Sequence, residues 1–171
     1  MKDKTCCFTG HRKLPTEKLN KITDELEKTV IGLIADGYLF FGTGGALGFD
    51  TVAAQTVIRL KDKYPKIRLI LVLPCTDQAK FWNEDDSREY ERIKKLADKT
   101  VYTSEKYYNG CMAKRNRHLV DNSSVCVAYL TQSGGGTAYT VEYANKHGLK
   151  IINIAKNIKK GTEHDRKTYF K

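Results

Sequence analysis

Three stretches of this chain combine glycines with charged or hydroxyl side chains in the manner of anion-binding turns. Thr9-Gly10-His11-Arg12 closes a short apolar run, and Gly42-Thr-Gly44-Gly45-Ala-Leu-Gly48-Phe-Asp50 closes a second. Ser133-Gly134-Gly135-Gly136-Thr137 closes a third and leads into a helical stripe. Glycine lets backbone approach a phosphate, and the free N–H groups that open the following helix point at it. One such loop is no more than a tight turn. Two loops with at least three glycines each, on separate strand–helix junctions, point to a phosphate or nucleotide ligand. No loop ends in Gly-Lys-Ser/Thr, and no strict G-x-G-x-x-G follows the first apolar run, which disfavours ordinary ATP or NAD use.

Charged residues near these loops carry two readings each. Arg12 suits either a phosphate clamp or a surface position. Asp50 suits an N-cap by type and place, or a contact to a ligand ribose or base. Arg115 and Arg117 lie two apart on a short helix and cannot share a face, so one is expected inward and the other outward. Trp82, the single tryptophan, reads first as a core or interface anchor and second as a base-stacking group. The four histidines show no metal-ligand spacing, and no metal or cofactor is expected. Cys6, Cys7 and Cys126 sit in apolar stretches and read as reduced core residues.

The elements that must position these groups follow from the hydrophobic period. Apolar runs at Cys6–Thr9, Tyr38–Phe41, Ile67–Leu73, Thr100–Thr103, Ser124–Leu130 and Lys150–Ile154 read as strands. Helical stripes lie between them: Leu19 to Ile34 ended by Gly37, a helix capped by Asp50, one carrying Tyr90, Ile93, Leu96 and Ala97, then Ala113–Val120 and Ala138–His147. Strands alternating with helices predict a mainly parallel, doubly wound α/β sheet in three layers, a single Rossmann-like domain over residues 1–155. In such a sheet ligands bind beyond the C-terminal ends of the strands.

The chain has 171 residues, 40% hydrophobic and 29% charged, the composition of a globular protein. No apolar run approaches the ~20 residues of a membrane span, and the start has no signal-peptide pattern, so the expected address is cytoplasmic. The net charge of +10 reads first as a solvated basic surface and second as a field that attracts phosphate-bearing partners. Residues 156–171 form a basic tail, with six Lys or Arg against Glu163 and Asp165.

Four motifs, in order and each at a strand–helix junction, resemble the SLOG superfamily, which groups the Rossmann domain of DNA-processing protein A with the LOG phosphoribohydrolases. Within it the chain is most similar to the small bacterial DUF1273/YpsA-like proteins. Gly10-His11-Arg12 matches the first-strand motif, and Gly44-Gly45-Ala46-Leu47-Gly48-Phe49-Asp50 matches the glycine turn ending in Gly-x-Asp. Arg115-Asn116-Arg117 matches the Arg-Asn-Arg element of the DNA-processing proteins, which favours Arg115 inward, and Gly134-Gly135-Gly136-Thr137-Ala138 matches the last turn. The chain departs from LOG enzymes where their catalytic glutamate should stand. Tyr139 and Thr140 occupy that region, and Glu142 is the nearest carboxylate, displaced around the helix.

The resemblance implies a nucleotide or nucleotide-derived ligand bound without rapid turnover, with Gly10, His11, Arg12, Gly44, Gly45, Gly48, Asp50, Arg115, Asn116, Gly134, Gly135, Gly136 and Thr137 as site residues. Two alternatives stand beside it. One is a LOG-like hydrolase of nucleoside monophosphates using Glu142. The other is a binder of single-stranded nucleic acid using Arg12, Lys114, Arg115, Arg117 and the tail. No membrane partner is expected, and a homodimer stays open.

Overall fold

The structure, a computed structural model, describes residues 1–158. The tail expected from 156 onward therefore lies outside the described residues except at its first three positions. Ala155 and Ile158 pack into the larger core, so the chain is still part of the domain there.

Among the described residues six strands alternate with five helices: β1 (Thr5–Gly10), α1 (Leu19–Ala35), β2 (Phe40–Thr43), α2 (Phe49–Lys61), β3 (Arg68–Leu73), α3 (Glu84–Leu96), β4 (Lys99–Tyr102), α4 (Cys111–Asp121), β5 (Val125–Tyr129), α5 (Gly135–Lys146) and β6 (Lys150–Asn153). All strand pairs are parallel, in the order β4-β3-β2-β1-β5-β6. The doubly wound three-layer α/β fold read from the periodicity is the observed one.

Alternation along the strands explains the layers. Cys6, Phe8, Phe41, Leu69, Leu71, Leu73, Val125 and Val127 point to one face, where α1, α2 and α3 cover them. Cys7, Val72 and Cys126 point to the other, under Leu119 and Val120 of α4 and Ala144 of α5. All five cysteines are buried and unbridged. Strand order runs outward from β1 to β4, then reverses, because β5 adds on the opposite side of β1. The crevice at that reversal, between the loops after β1 and β5, is the ligand position of open α/β sheets.

Most element ends differ by one or two residues from those expected, and three of the differences bear on the glycine turns. The second strand starts at Phe40, not Tyr38, because the end of α1 uses Tyr38: Gly37 takes φ +96° and the Tyr38 N–H reaches back to the Leu33 carbonyl at 3.0 Å. Gly42 consequently belongs to the strand rather than to the turn. It pairs with Cys7 and Ile70, and a Cβ there would lie 3.0 Å from Leu119 Cδ2, so its bareness admits α4. The last helix begins at Gly135, three residues before Ala138, so the glycine turn supplies its first residues.

Candidate functional site

The loop after β1 is locked to the start of α2. Phe49 N–H donates to the His11 carbonyl at 3.1 Å, and its ring lies against Gly10 so closely that no side chain fits there. Gly48, at φ +78°, abuts the carbonyls of His11 and Arg12. The N-cap position of α2 is Gly48, not Asp50. Asp50 falls one residue inside the helix because Phe49 must enter the core ahead of it, and its Oδ2 accepts the Ala46 N–H at 3.2 Å.

Asp50 is 7% exposed and Arg115 3%, and each senses the other's charge. Arg115 donates to the Gly44 carbonyl, to Asn116 Oδ1 at 2.7 Å and to Gln78 Oε1 at 3.5 Å. The guanidinium lies over Gly44, where any side chain would displace it. Burial pushes the Asp50 carboxyl up from its ordinary range, opposed by Arg115, the Ala46 N–H and Arg12 in turn. Burial likewise pulls Arg115 down, with Asp50 opposing. Arg12, itself exposed, adds a second positive charge to the same field.

Across the crevice, α5 begins with Gly134 at φ +81° and Gly135 at φ +87°, and no side chain caps its first N–H groups. A Cβ at Gly134, Gly135 or Gly136 would meet nothing within 4 Å, so these glycines border open space. His11 ties this loop to the first one: its Nε2 accepts the Thr131 N–H at 3.0 Å, and its ring stands edge-on to Tyr129. Burial lowers the His11 pKa from the usual histidine value, in keeping with a neutral acceptor nitrogen.

These groups enclose a cavity of about 240 Å³. Of the residues picked from the sequence, Gly10, His11, Arg12, Asp50, Arg115, Asn116, Gly134, Gly135, Gly136 and Thr137 line it. Gly44, Gly45 and Gly48 do not. Gly44 lies beneath Arg115, Gly45 faces Leu73 and Tyr90, and Gly48 meets the β1 loop, so all three serve close packing behind the wall. Thr9, Ala46, Met112 and Gln132 line the cavity without having been picked. Met112 had a legible signal, since it sits three and four residues before Arg115 and Asn116 on one helix face. Gln132 had none.

Glu142 lies on the solvent side of α5, paired with Lys146 at 3.0 Å and outside the cavity lining. Trp82 stands edge-on to Tyr90, ring centroids 5.1 Å apart, as a core anchor. Among the described residues no cluster of three His, Cys, Asp or Glu could hold a metal ion, and no helix is long and apolar enough to cross a membrane.

A parallel six-stranded sheet with a polar crevice at its strand-order reversal defines a Rossmann-like α/β protein. Residues 6–157 match the sequence profile of the YspA SLOG family, and the chain belongs to that family. It is 32% identical over 139 residues to the SPbeta prophage-derived protein YoqJ of Bacillus subtilis, covering 74% of this chain and 81% of that one. It is 32% identical over 144 residues to a UPF0398 protein of Levilactobacillus brevis, covering 80% and 76%. Among solved structures, DNA processing protein A of Streptococcus pneumoniae superposes with a TM-score of 0.64 at 18% identity, over 88% of this chain but only 50% of that protein. The Helicobacter pylori protein of the same name, solved for its single-stranded DNA binding mode, superposes with a TM-score of 0.52 at 17% identity, over 94% and 80%. At such identities the likeness is one of fold.

Proposed function

We propose that this protein binds a nucleotide or nucleotide-derived ligand in the crevice between β1 and β5, without rapid turnover. The observation that carries the reading is the uncapped N-terminus of α5, whose glycines border open space in a cavity that Arg12 and Asn116 also line. Free N–H groups and a positive helix end favour a phosphate, and a guanidinium adds a charge-assisted bond. The LOG-like alternative needs a carboxylate beside the sugar carbon whose bond breaks. Glu142 points away from the cavity, which disfavours that route.

A thermal-shift series with nucleoside 5′-phosphates, nucleotide sugars and inorganic phosphate tests the reading. A ligand at a hundred times its dissociation constant stabilises the fold by ~2.7 kcal/mol, a readily measured rise in melting temperature. No shift with any of them overturns the proposal. Chromatography of the same incubations should show no free base above the blank.

A second reading, binding of single-stranded nucleic acid, draws on the Helicobacter pylori neighbour and on the exposed Tyr107 and Tyr108 between Lys106 and α4. Fluorescence anisotropy with labelled oligonucleotides separates the two. Binding that weakens steeply with salt and survives saturating mononucleotide favours the strand.

A further inference from the structure

The two walls of the crevice differ in chemistry, and a single small anion cannot satisfy both. The wall from α5 offers glycine N–H groups, which only donate. The wall from α2, on the opposite face of the sheet, offers the carboxylate of Asp50, which only accepts while ionised. Oδ2 of Asp50 accepts the Ala46 N–H and the Thr43 hydroxyl lies close to the same carboxylate, which still leaves part of its roughly four lone-pair sites for a ligand. A phosphate set against that carboxylate would be repelled, and a bare phosphate elsewhere in the crevice would leave it unanswered. A ligand that fills the crevice therefore carries an anionic group together with O–H donors. Two neighbouring hydroxyls on a furanose ring, attached to a phosphate, meet both demands.

We infer that Asp50 is a specificity-determining residue that accepts hydrogen bonds from the free sugar hydroxyls of a ribonucleotide monomer. The inference rests on the nucleotide-binding reading above and narrows it to free ribonucleotides rather than DNA strands, which lack one hydroxyl and esterify the other. The Ala46 N–H holds the carboxylate of Asp50, and the nearby guanidinium of Arg115, fixed by the Gly44 carbonyl and Asn116, favours the ionised acceptor by its charge.

Isothermal titration calorimetry with the 5′-monophosphates of adenosine, guanosine, cytidine and uridine, and with the 2′,3′-dideoxy counterpart of the tightest of them, tests the inference. Wild type should prefer the ribonucleotide tenfold or more, since charge-assisted bonds are lost with the hydroxyls. Asp50→Asn keeps an oxygen for the Ala46 N–H. It should lower ribonucleotide affinity by a similar factor while dideoxy affinity does not fall, since the lost carboxylate charge only repelled the phosphate. Asp50→Ala, with circular dichroism to verify folding, should erase the preference altogether. Equal affinity of wild type for the two sugars, or an equal loss for both in Asp50→Asn, overturns the inference and leaves nucleotide binding standing. If none of the ribonucleotides binds and the thermal-shift series is also flat, nucleotide binding and the inference fall together. If none binds while inorganic phosphate still shifts the melt, the ribose assignment alone falls.

Discussion

Thr131 donates its backbone N–H to Nε2 of His11 over 3.0 Å, joining the loops after β5 and β1 across the reversal of strand order. The bond requires a neutral ring, and burial lowers the His11 pKa from the usual 6.5. Near that pH the unfolded chain binds more protons than the folded one, so stability rises with pH. The contribution of His11 is present above 6.5 and is lost as the pH falls through the lower folded value. Melting curves between about pH 8 and pH 5 should fall more steeply for wild type than for His11→Gln, which offers an acceptor without titrating. Parallel curves would mean that His11 binds its proton in the folded protein as readily as in the unfolded chain.

Arg12 and Arg115 should respond to alanine in opposite ways. Arg115→Ala leaves the buried Gly44 carbonyl without its donor and removes the charge that opposes the burial of Asp50, and should cost ~1–3 kcal/mol in urea unfolding. Arg12→Ala, at an exposed position, should leave the melting temperature unchanged and weaken nucleotide binding by ~1.5–3 kcal/mol. Equal, small losses of affinity at Arg12 and at Lys114 would mean that only diffuse charge attracts the ligand.

Two glycines that look alike in sequence should also part. Gly48→Ala meets the carbonyls of His11 and Arg12 at φ +78° and should destabilise by roughly 2 kcal/mol or more. Gly136→Ala meets open space and should shift stability by no more than about 0.5 kcal/mol. Chemical denaturation of both variants checks the pair. A neutral Gly48→Ala would show that the β1 loop is free to move away from α2.

Glu142→Ala removes an exposed i,i+4 pair with Lys146 and should cost about 0.5 kcal/mol at most. Nucleotide affinity should be unaltered. Free base appearing with wild type and vanishing in this variant would restore the hydrolase alternative.

Periodicity exposed the layers of this fold because β1, β3 and β5 are apolar runs that fill both faces of the sheet. Local pattern missed what distant packing decides. Tyr38 reads as strand but closes α1, and Gly42 reads as turn but pairs with Cys7 and Ile70 in the sheet, where its missing side chain leaves room for Leu119. Asp50 reads as a cap, yet the helix starts one residue before it. The spacing of Arg115 and Arg117 asked for one inward arginine and the resemblance chose Arg115, as found, but the depth of its burial was not legible, since it lies over the bare backbone of Gly44 in another loop. The crevice was legible as three glycine loops, but the glycines of one of them, Gly44, Gly45 and Gly48, support the wall from behind while Ala46 and Asp50 form it.

The bond from Thr131 to His11 joins residues 120 positions apart, and β1 pairs along its length with β5. A growing chain can lay down β1 through β4 with their helices while the crevice still lacks its second side. Contacts of such sequence separation form late and slowly. A molecule that touches both Arg12 and the start of α5 would therefore ignore every partly folded form. It would add to the stability of the finished protein alone, so ligand supply would also set how much of the newly made chain stays folded.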